Sequence, residues 1–233
     1  MRLDKFVCKS TSLSRTNARD VISQGQLSVN KQVITDPAFQ VHENNTVMYQ
    51  QGRLTARPSR YFMLHKPLDT LSSNVDGRYP SVLRLIDVPQ RDDLHIVGRL
   101  DADTSGLLLL TDDGRWSFDI IRPLRHCNKT YHVSLRSPIT EDAILKLTHG
   151  VQLQNESQLT RPATVEVLTP KQVLFTITEG KYHQVKRMFA AVGNRVNGLH
   201  RVAIGSLQLD VDVAQWRELT HSEIHALAQP SPN

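Results

Sequence analysis

Two cysteines in 233 residues, Cys8 and Cys127, are too few for a disulfide scaffold and form no C-x-x-C pair for metal or redox work. They read as free buried thiols in a reducing compartment. No stretch approaches the roughly 18 consecutive apolar residues that a membrane-spanning helix needs. The opening Met1-Arg2-Leu3-Asp4-Lys5 lacks the apolar segment of a secretory leader. The expectation is a cytoplasmic protein with no membrane partner. Eleven glycines and eleven prolines are ordinary counts, which excludes collagen-like and linker-like chains. No internal repeat or low-complexity tract occurs. G-x-S-x-G, the P-loop and H-E-x-x-H are all missing. His126 beside Cys127 is too little for zinc, and His183 reads as a polar loop residue.

What is present begins with a composition of 39% hydrophobic and 22% charged residues, enough apolar surface to offset the entropy of ordering a core. The net charge of +5 is unevenly placed. Residues 1–60 carry nine Lys or Arg against four acids, whereas residues 61–233 carry nineteen of each sign. A compact basic segment on a neutral body is the electrostatic footprint of a nucleic-acid grip. A solvated basic face has the same composition.

The pattern divides the chain into a small unit at 1–50, a polar linker at 51–59 and a larger domain at 60–233. In the small unit, Leu3, Phe6 and Val7 sit at helical spacing. Ser14 can cap a second helix running to about Gln24, ended by Gly25. Leu27 and Val29, a turn at Asn30-Lys31, Val33, and then Val47 and Tyr49 predict short strands. In the larger domain, strands are expected at Tyr61–Leu64, Leu94–Val97, Leu107–Leu110, Tyr131–Leu135, Thr164–Leu168 and Val173–Ile177, with a turn at Asp113-Gly114. Four leucines in a row want burial on both faces. Val185, Met188, Phe189 and Val192 form a helix stripe, and Thr220 with Glu223 a capping box. Strands in consecutive runs imply an α+β fold, a mixed, mostly antiparallel sheet with flanking helices.

The densest polar stretch is Gly98-Arg99-Leu100-Asp101-Ala102-Asp103-Thr104-Ser105-Gly106, which leads into the leucine strand. One reading is a calcium loop, with Asp101, Asp103, Ser105 and Gly106 at the first ligand positions and Asp112 in the twelfth, where a glutamate is normal. A second is a structural turn with an Arg99–Asp101 surface pair. A third is a reactive aspartate, which needs a cation nearby to stay ionised once water is expelled. Lys186, one residue round from the apolar helix stripe, is a candidate for that cation.

Taken together, these segments resemble the RsuA-type pseudouridine synthases. The resemblance rests on Gly98-Arg99-Leu100-Asp101 through Asp113-Gly114, on Lys129-Thr130-Tyr131, on Glu179-Gly180-Lys181-Tyr182-His183-Gln184-Val185-Lys186-Arg187-Met188-Phe189, and on Leu199-His200-Arg201 with Ile204-Gly205. Upstream, Arg2-Leu3-Asp4-Lys5-Phe6, Ser14-Arg15 and Val29-Asn30 resemble an S4 RNA-binding domain. The resemblance implies a pseudouridine synthase fold carrying an N-terminal S4-like domain, and an isomerase converting uridine to pseudouridine in 16S ribosomal RNA at uridine 516. It implies Asp101, Tyr131 and Lys186 as catalytic residues and Arg99, Thr104 and Leu199 as substrate-binding ones. Lys5, Lys9, Arg15, Arg19 and Lys31 become RNA contacts. No cofactor and no metal are implied, and the partner is ribosomal RNA in an assembling small subunit, met by a monomer. A sister enzyme acting on 23S rRNA or tRNA, or a non-catalytic ribosome-assembly factor, stands as the alternative. Two positions depart from the family pattern: Leu68-Asp69 follows Lys66-Pro67 where a glycine is usual, and Asn30-Lys31 replaces Asn-Gly.

Overall fold

The computed structural model describes residues 1–122 and 127–229. The chain forms two compact units, Met1–Ser59 and the part from Arg60 on. The first opens with helices α1 (Leu3–Ser10) and α2 (Arg15–Ser23), the second capped by the Ser14 side chain, which accepts from the Asn17 N–H. Strands β1 (Leu27–Val29), β2 (Gln32–Val33), β3 (Val47–Tyr49) and β4 (Gly52–Arg53) follow, in the antiparallel order β2-β1-β3-β4. Leu3, Val7, Ala18 and Ile22 from the helices are fully buried against Leu27 and Val47. Strand β4 lies in the stretch expected to be linker. The left-handed Gln50-Gln51 turn folds the chain back so that Arg53 pairs with Met48. Beyond it, Arg57 N–H donates to the Lys9 carbonyl. Backbone pairing, not composition, carries this polar segment into the first unit.

The second unit is built on one nine-stranded sheet. Its strands are β5 (Tyr61–Lys66), β6 (His95–Val97), β7 (Ser105–Thr111), β8 (Lys129–Leu135), β9 (Thr164–Thr169), β10 (Gln172–Ile177), β11 (Val196–Ile204), β12 (Leu207–Gln208) and β13 (Trp216–Glu218). The main order is β13-β5-β7-β11-β8-β10-β9, with β12 on β11 and β6 on β7. Only β7 with β11 is parallel among the described pairs, so the sheet is mixed and mostly antiparallel, as expected. Helices α3 (Gly114–Ile121), α4 (Glu141–His149), α5 (Gln184–Ala191) and α6 (His221–Ala228) flank it.

Strand β7 explains its own leucines. Leu108 and Leu110 join Phe62 and Leu64 in one core; Leu107 and Leu109 join Met63 and Trp116 in the other. Strand β5 takes one edge of β7, and β11 and β6 share the other. The expected turn at Asp113-Gly114 is instead a helix start: the Asp113 carboxylate accepts from Arg115 and Trp116 N–H groups and opens α3. The Thr220–Glu223 capping box opens α6 as read. Both cysteines are free and buried.

Candidate active site

The loop between β6 and β7 carries Asp101 and is held from several sides. Its sequence is polar, so its backbone must find partners outside regular structure. Gly98, at φ 73°, turns the chain out of β6. The Ser72 hydroxyl donates to the Leu100 carbonyl and accepts from the Leu100 N–H. Asp69 N–H donates to the Ala102 carbonyl. Asp69 sits at φ 57°, the conformation for which a glycine would be expected after Lys66-Pro67. The Lys66 ammonium, wholly buried at the end of β5, donates to the Thr104 carbonyl at 2.8 Å. Arg201, on β11 and equally buried, donates from Nε to the Leu107 carbonyl and from a terminal nitrogen to the Gly98 carbonyl, at 2.8 and 2.9 Å. Two buried cations thus clamp the loop by its carbonyls and leave the Asp101 carboxylate free for side-chain partners.

Those partners come from α5 and the loop before it. Lys186 Nζ lies 3.3 Å from Asp101 Oδ2 and 2.5 Å from Asp103 Oδ1. His183 Nε2 lies 3.3 Å from Asp101 Oδ1. A cavity of about 290 Å³ opens beside them, lined also by Tyr131, Lys129, Leu199 and Arg99. The Lys186 ammonium beside Asp103 holds that carboxyl below its ordinary value. Burial pushes the Lys66 amine down to about 8, against the pull of Asp101 and Asp103. Burial lowers Lys129 as well. The Arg201 guanidinium stands 5.9 Å from the Tyr131 ring centroid, within cation–π range. The Thr104 hydroxyl is buried and has no hydrogen-bond partner among the described residues, an unmet capacity facing a cavity.

The sequence-predicted residues Asp101, Tyr131, Lys186, Arg99, Thr104 and Leu199 therefore line one cavity. The Asp101 side chain is 36% exposed, so the free protein leaves it wet on one side. The calcium reading fails on two observations: strands flank the loop, and the Lys186 ammonium bonds both carboxylates the ion would need. The surface-pair reading fails too, because Asp101 bonds Lys186 and not Arg99. His183 is more than a polar loop residue, since α5 opens at it with the ring turned onto Asp101. Sequence reasoning missed Lys66, Arg201 and Lys129. The available signal was a lysine closing the apolar Tyr61–Lys66 run and, for Lys129 and Arg201, their place inside the quoted motifs. His126 lies outside the described residues.

In the first unit, Lys31, Arg15 and Arg19 are exposed and Lys5 is half-buried. Arg15 and Arg19 gather with Arg2 around the buried Asp4, at 3.7, 3.2 and 3.1 Å. Lys9 corrects the expectation of a surface phosphate contact. It is 5% exposed and its ammonium donates to the Ser59 hydroxyl, because residues 54–59 fold over the end of α1.

Residues 60–191 match the model of the RNA pseudouridylate synthase family, and residues 1–47 match the S4 domain. The chain is 48% identical to ribosomal small subunit pseudouridine synthase A of Salmonella typhimurium, over 96% of this chain and 98% of that one. Identity to the protein of that name from Escherichia coli K12 is 47% over the same shares, and to that of Haemophilus influenzae 43% over 98% and 100%. A crystal structure of a pseudouridylate synthase, 42% identical, superposes with a TM-score of 0.71 over 97% of this chain and 99% of that one. A buried loop clamp that presents one carboxylate to a lysine beside a tyrosine-lined cavity, together with these matches over almost the whole length, leads to one conclusion: the chain belongs to the RNA pseudouridylate synthase family and carries an N-terminal S4 domain.

Proposed function

We propose that this chain converts a uridine of small-subunit ribosomal RNA to pseudouridine, at uridine 516 of 16S rRNA, and that Asp101 performs the chemistry. The observation that carries the reading is the 3.3 Å contact between Asp101 and Lys186 at the edge of the cavity. Lys186 and His183 touch a carboxylate that a base bound in the cavity would dry. The small-subunit target comes from the names borne by the similar proteins.

The glycosidic bond is out of reach inside a helix, so the uridine must leave its stack. Tyr131 offers a ring face in the cavity and Leu199 an apolar wall. The Thr104 hydroxyl is placed to bond a polar edge of the guest, and Arg99, with its planar fork of donors, to hold a phosphate or fill the vacated stack. Lys186 keeps Asp101 ionised after water leaves. Asp101 then acts on the ribosyl uracil, and the C–N bond to the sugar breaks. The freed uracil turns in the cavity, its C5 bonds to the anomeric carbon, the C5 proton departs to restore the ring, and the freed N1 takes up a proton. No electrons or groups are exchanged with another molecule, so the chemistry calls for no cofactor. The S4 domain supplies phosphate contacts, with the assembling small subunit as the partner that presents the RNA.

The test is Asp101→Asn, an isosteric change that removes the charge. Carbodiimide labelling and primer extension on 16S rRNA are expected to show no product with a variant that still folds and binds RNA. Substantial product would overturn the assignment of Asp101. Mapping rRNA and tRNA from cells lacking the protein checks the target; a mark lost only from 23S rRNA or tRNA would overturn the small-subunit reading.

A further inference from the structure

Tyr182 has no structural duty that accounts for it. At 76% it is the most exposed large hydrophobic side chain among the described residues. Its hydroxyl makes no hydrogen bond among them. One ring face is covered: Tyr182 stacks on His183 with centroids 3.8 Å apart and planes 20° from parallel. His183 in turn reaches Asp101. The other face of Tyr182 is open to solvent at the mouth of the cavity.

The ring is also held in place before anything binds. The Tyr182 carbonyl accepts from the Arg187 guanidinium at 3.0 Å. Lys181 N–H donates to the Gln184 side chain, and Gln184 N–H donates back to the Lys181 carbonyl. Arg187 is itself anchored on Glu156, whose carboxyl Lys181 and Arg187 hold below its usual range. A preset aromatic face loses little entropy on binding.

We propose that the open face of Tyr182 stacks the nucleobase next to the flipped uridine in the substrate strand; this rests on the RNA-modifying reading above. When a uridine swings into the cavity, its neighbour loses a stacking partner on the side it faced. An aromatic face at the cavity mouth replaces that partner and keeps the strand open. The stack would run from base to Tyr182 to His183 and end against Asp101, so that the neighbour's position sets the register of the reacting uridine. Stacking accepts any base, which makes this a positioning contact and not a reader of sequence. Arg99, on the same cavity, makes no ion pair or hydrogen bond among the described residues and is free for the phosphate between the two nucleotides.

The experiment compares wild type, Tyr182→Leu and Tyr182→Phe on the 16S rRNA substrate that the wild type modifies. Tyr182→Leu is expected to raise KM about tenfold or more while changing kcat by about twofold at most. Tyr182→Phe, which keeps the ring, is expected to behave as wild type. A second readout places 2-aminopurine on either side of the target uridine in an RNA fragment. Its fluorescence is expected to be quenched at one flank by the Asp101→Asn chain and released when Tyr182→Leu is added. Unchanged KM in Tyr182→Leu, no rescue by phenylalanine, or quenching that ignores residue 182 would each overturn the proposal. If Tyr182→Leu matches wild type while Asp101→Asn is inactive, the stacking site falls and the enzyme stands. If wild type forms no pseudouridine in ribosomal RNA, the underlying reading falls and takes the stacking site with it.

Discussion

Single buried charges decide much of how this chain is held. Asp4 is wholly buried. Burial alone would raise its carboxyl, but hydrogen bonds from Arg2 and Arg19 hold it below the ordinary value. A carboxyl lowered on folding adds stability above its unfolded pKa, and that stability is lost as pH falls through the folded value. Asp4→Asn is therefore expected to cost about 1–3 kcal/mol at pH 7, with the gap to wild type closing in acid. Urea midpoints at pH 7 and pH 3 check it. Lys66 shares that direction with pH for a different reason: burial disfavours its charge, where hydrogen bonds favour that of Asp4. Its amine titrates near 8 in the fold and near 10.5 in the unfolded chain. Between those values the unfolded chain binds more protons, so stability rises with pH through this window. Wild type is expected to gain about 2 kcal/mol from pH 7.5 to 9.5 relative to Lys66→Met. A flat difference in urea midpoints would show that the Lys66 amine keeps its proton in the fold as firmly as in the unfolded chain.

At the scale of the element, the site depends on two parallel strands meeting closely. Gly106 on β7 stands at φ 111°, and a Cβ there would lie 2.3 Å from the Arg201 carbonyl oxygen and 2.5 Å from its nitrogen. Backbone cannot yield as a side-chain tip does. Gly106→Ala is expected to part β7 from β11 at the level of the clamp. A loss of about 3 kcal/mol or more in stability is expected, with a large fall in pseudouridine formation, measured by thermal melting and primer extension. How the elements were legible follows the same physics. Strand β7 was readable because burial on both faces leaves an unbroken apolar run, and α2 and α6 because their caps use Ser14 and Thr220. Strand β11 was not, because it places Asn197, Gly198, His200 and Arg201 where a strand pattern wants apolar or β-branched residues. Of these, Arg201 clamps the site loop and His200 bonds Ser105, so partners made elsewhere in the fold replaced the strand pattern. Helix α4 buries only Ala143 and Leu147, too thin a stripe to stand out. Asp101 and Lys186 were singled out from motif resemblance; their meeting was not legible, since 85 residues separate them.

At the scale of the molecule, charge and chemistry occupy different parts of the chain. The surplus of +5 lies in residues 1–60, and the remainder is neutral, although it holds every residue of the cavity. A neutral body with a reactive site gains little attraction for a polyanion, so affinity should come from the basic unit and show counterion release. Three arginines around one buried carboxylate leave a surplus of positive charge on that face. The partly exposed heads of Arg15 and Arg19 can meet phosphate without abandoning Asp4. Replacing both arginines with glutamine is expected to weaken RNA binding and to reduce the slope of log affinity against log salt by about 1–2. Lys146→Gln on α4, paired at 2.7 Å with its own neighbour Asp142, serves as the control and is expected to leave the slope unchanged. Filter binding of 16S rRNA from 50 to 300 mM salt measures both. If the arginine pair also left the slope untouched, phosphate would be gripped elsewhere, and the charge asymmetry would be a solvated face.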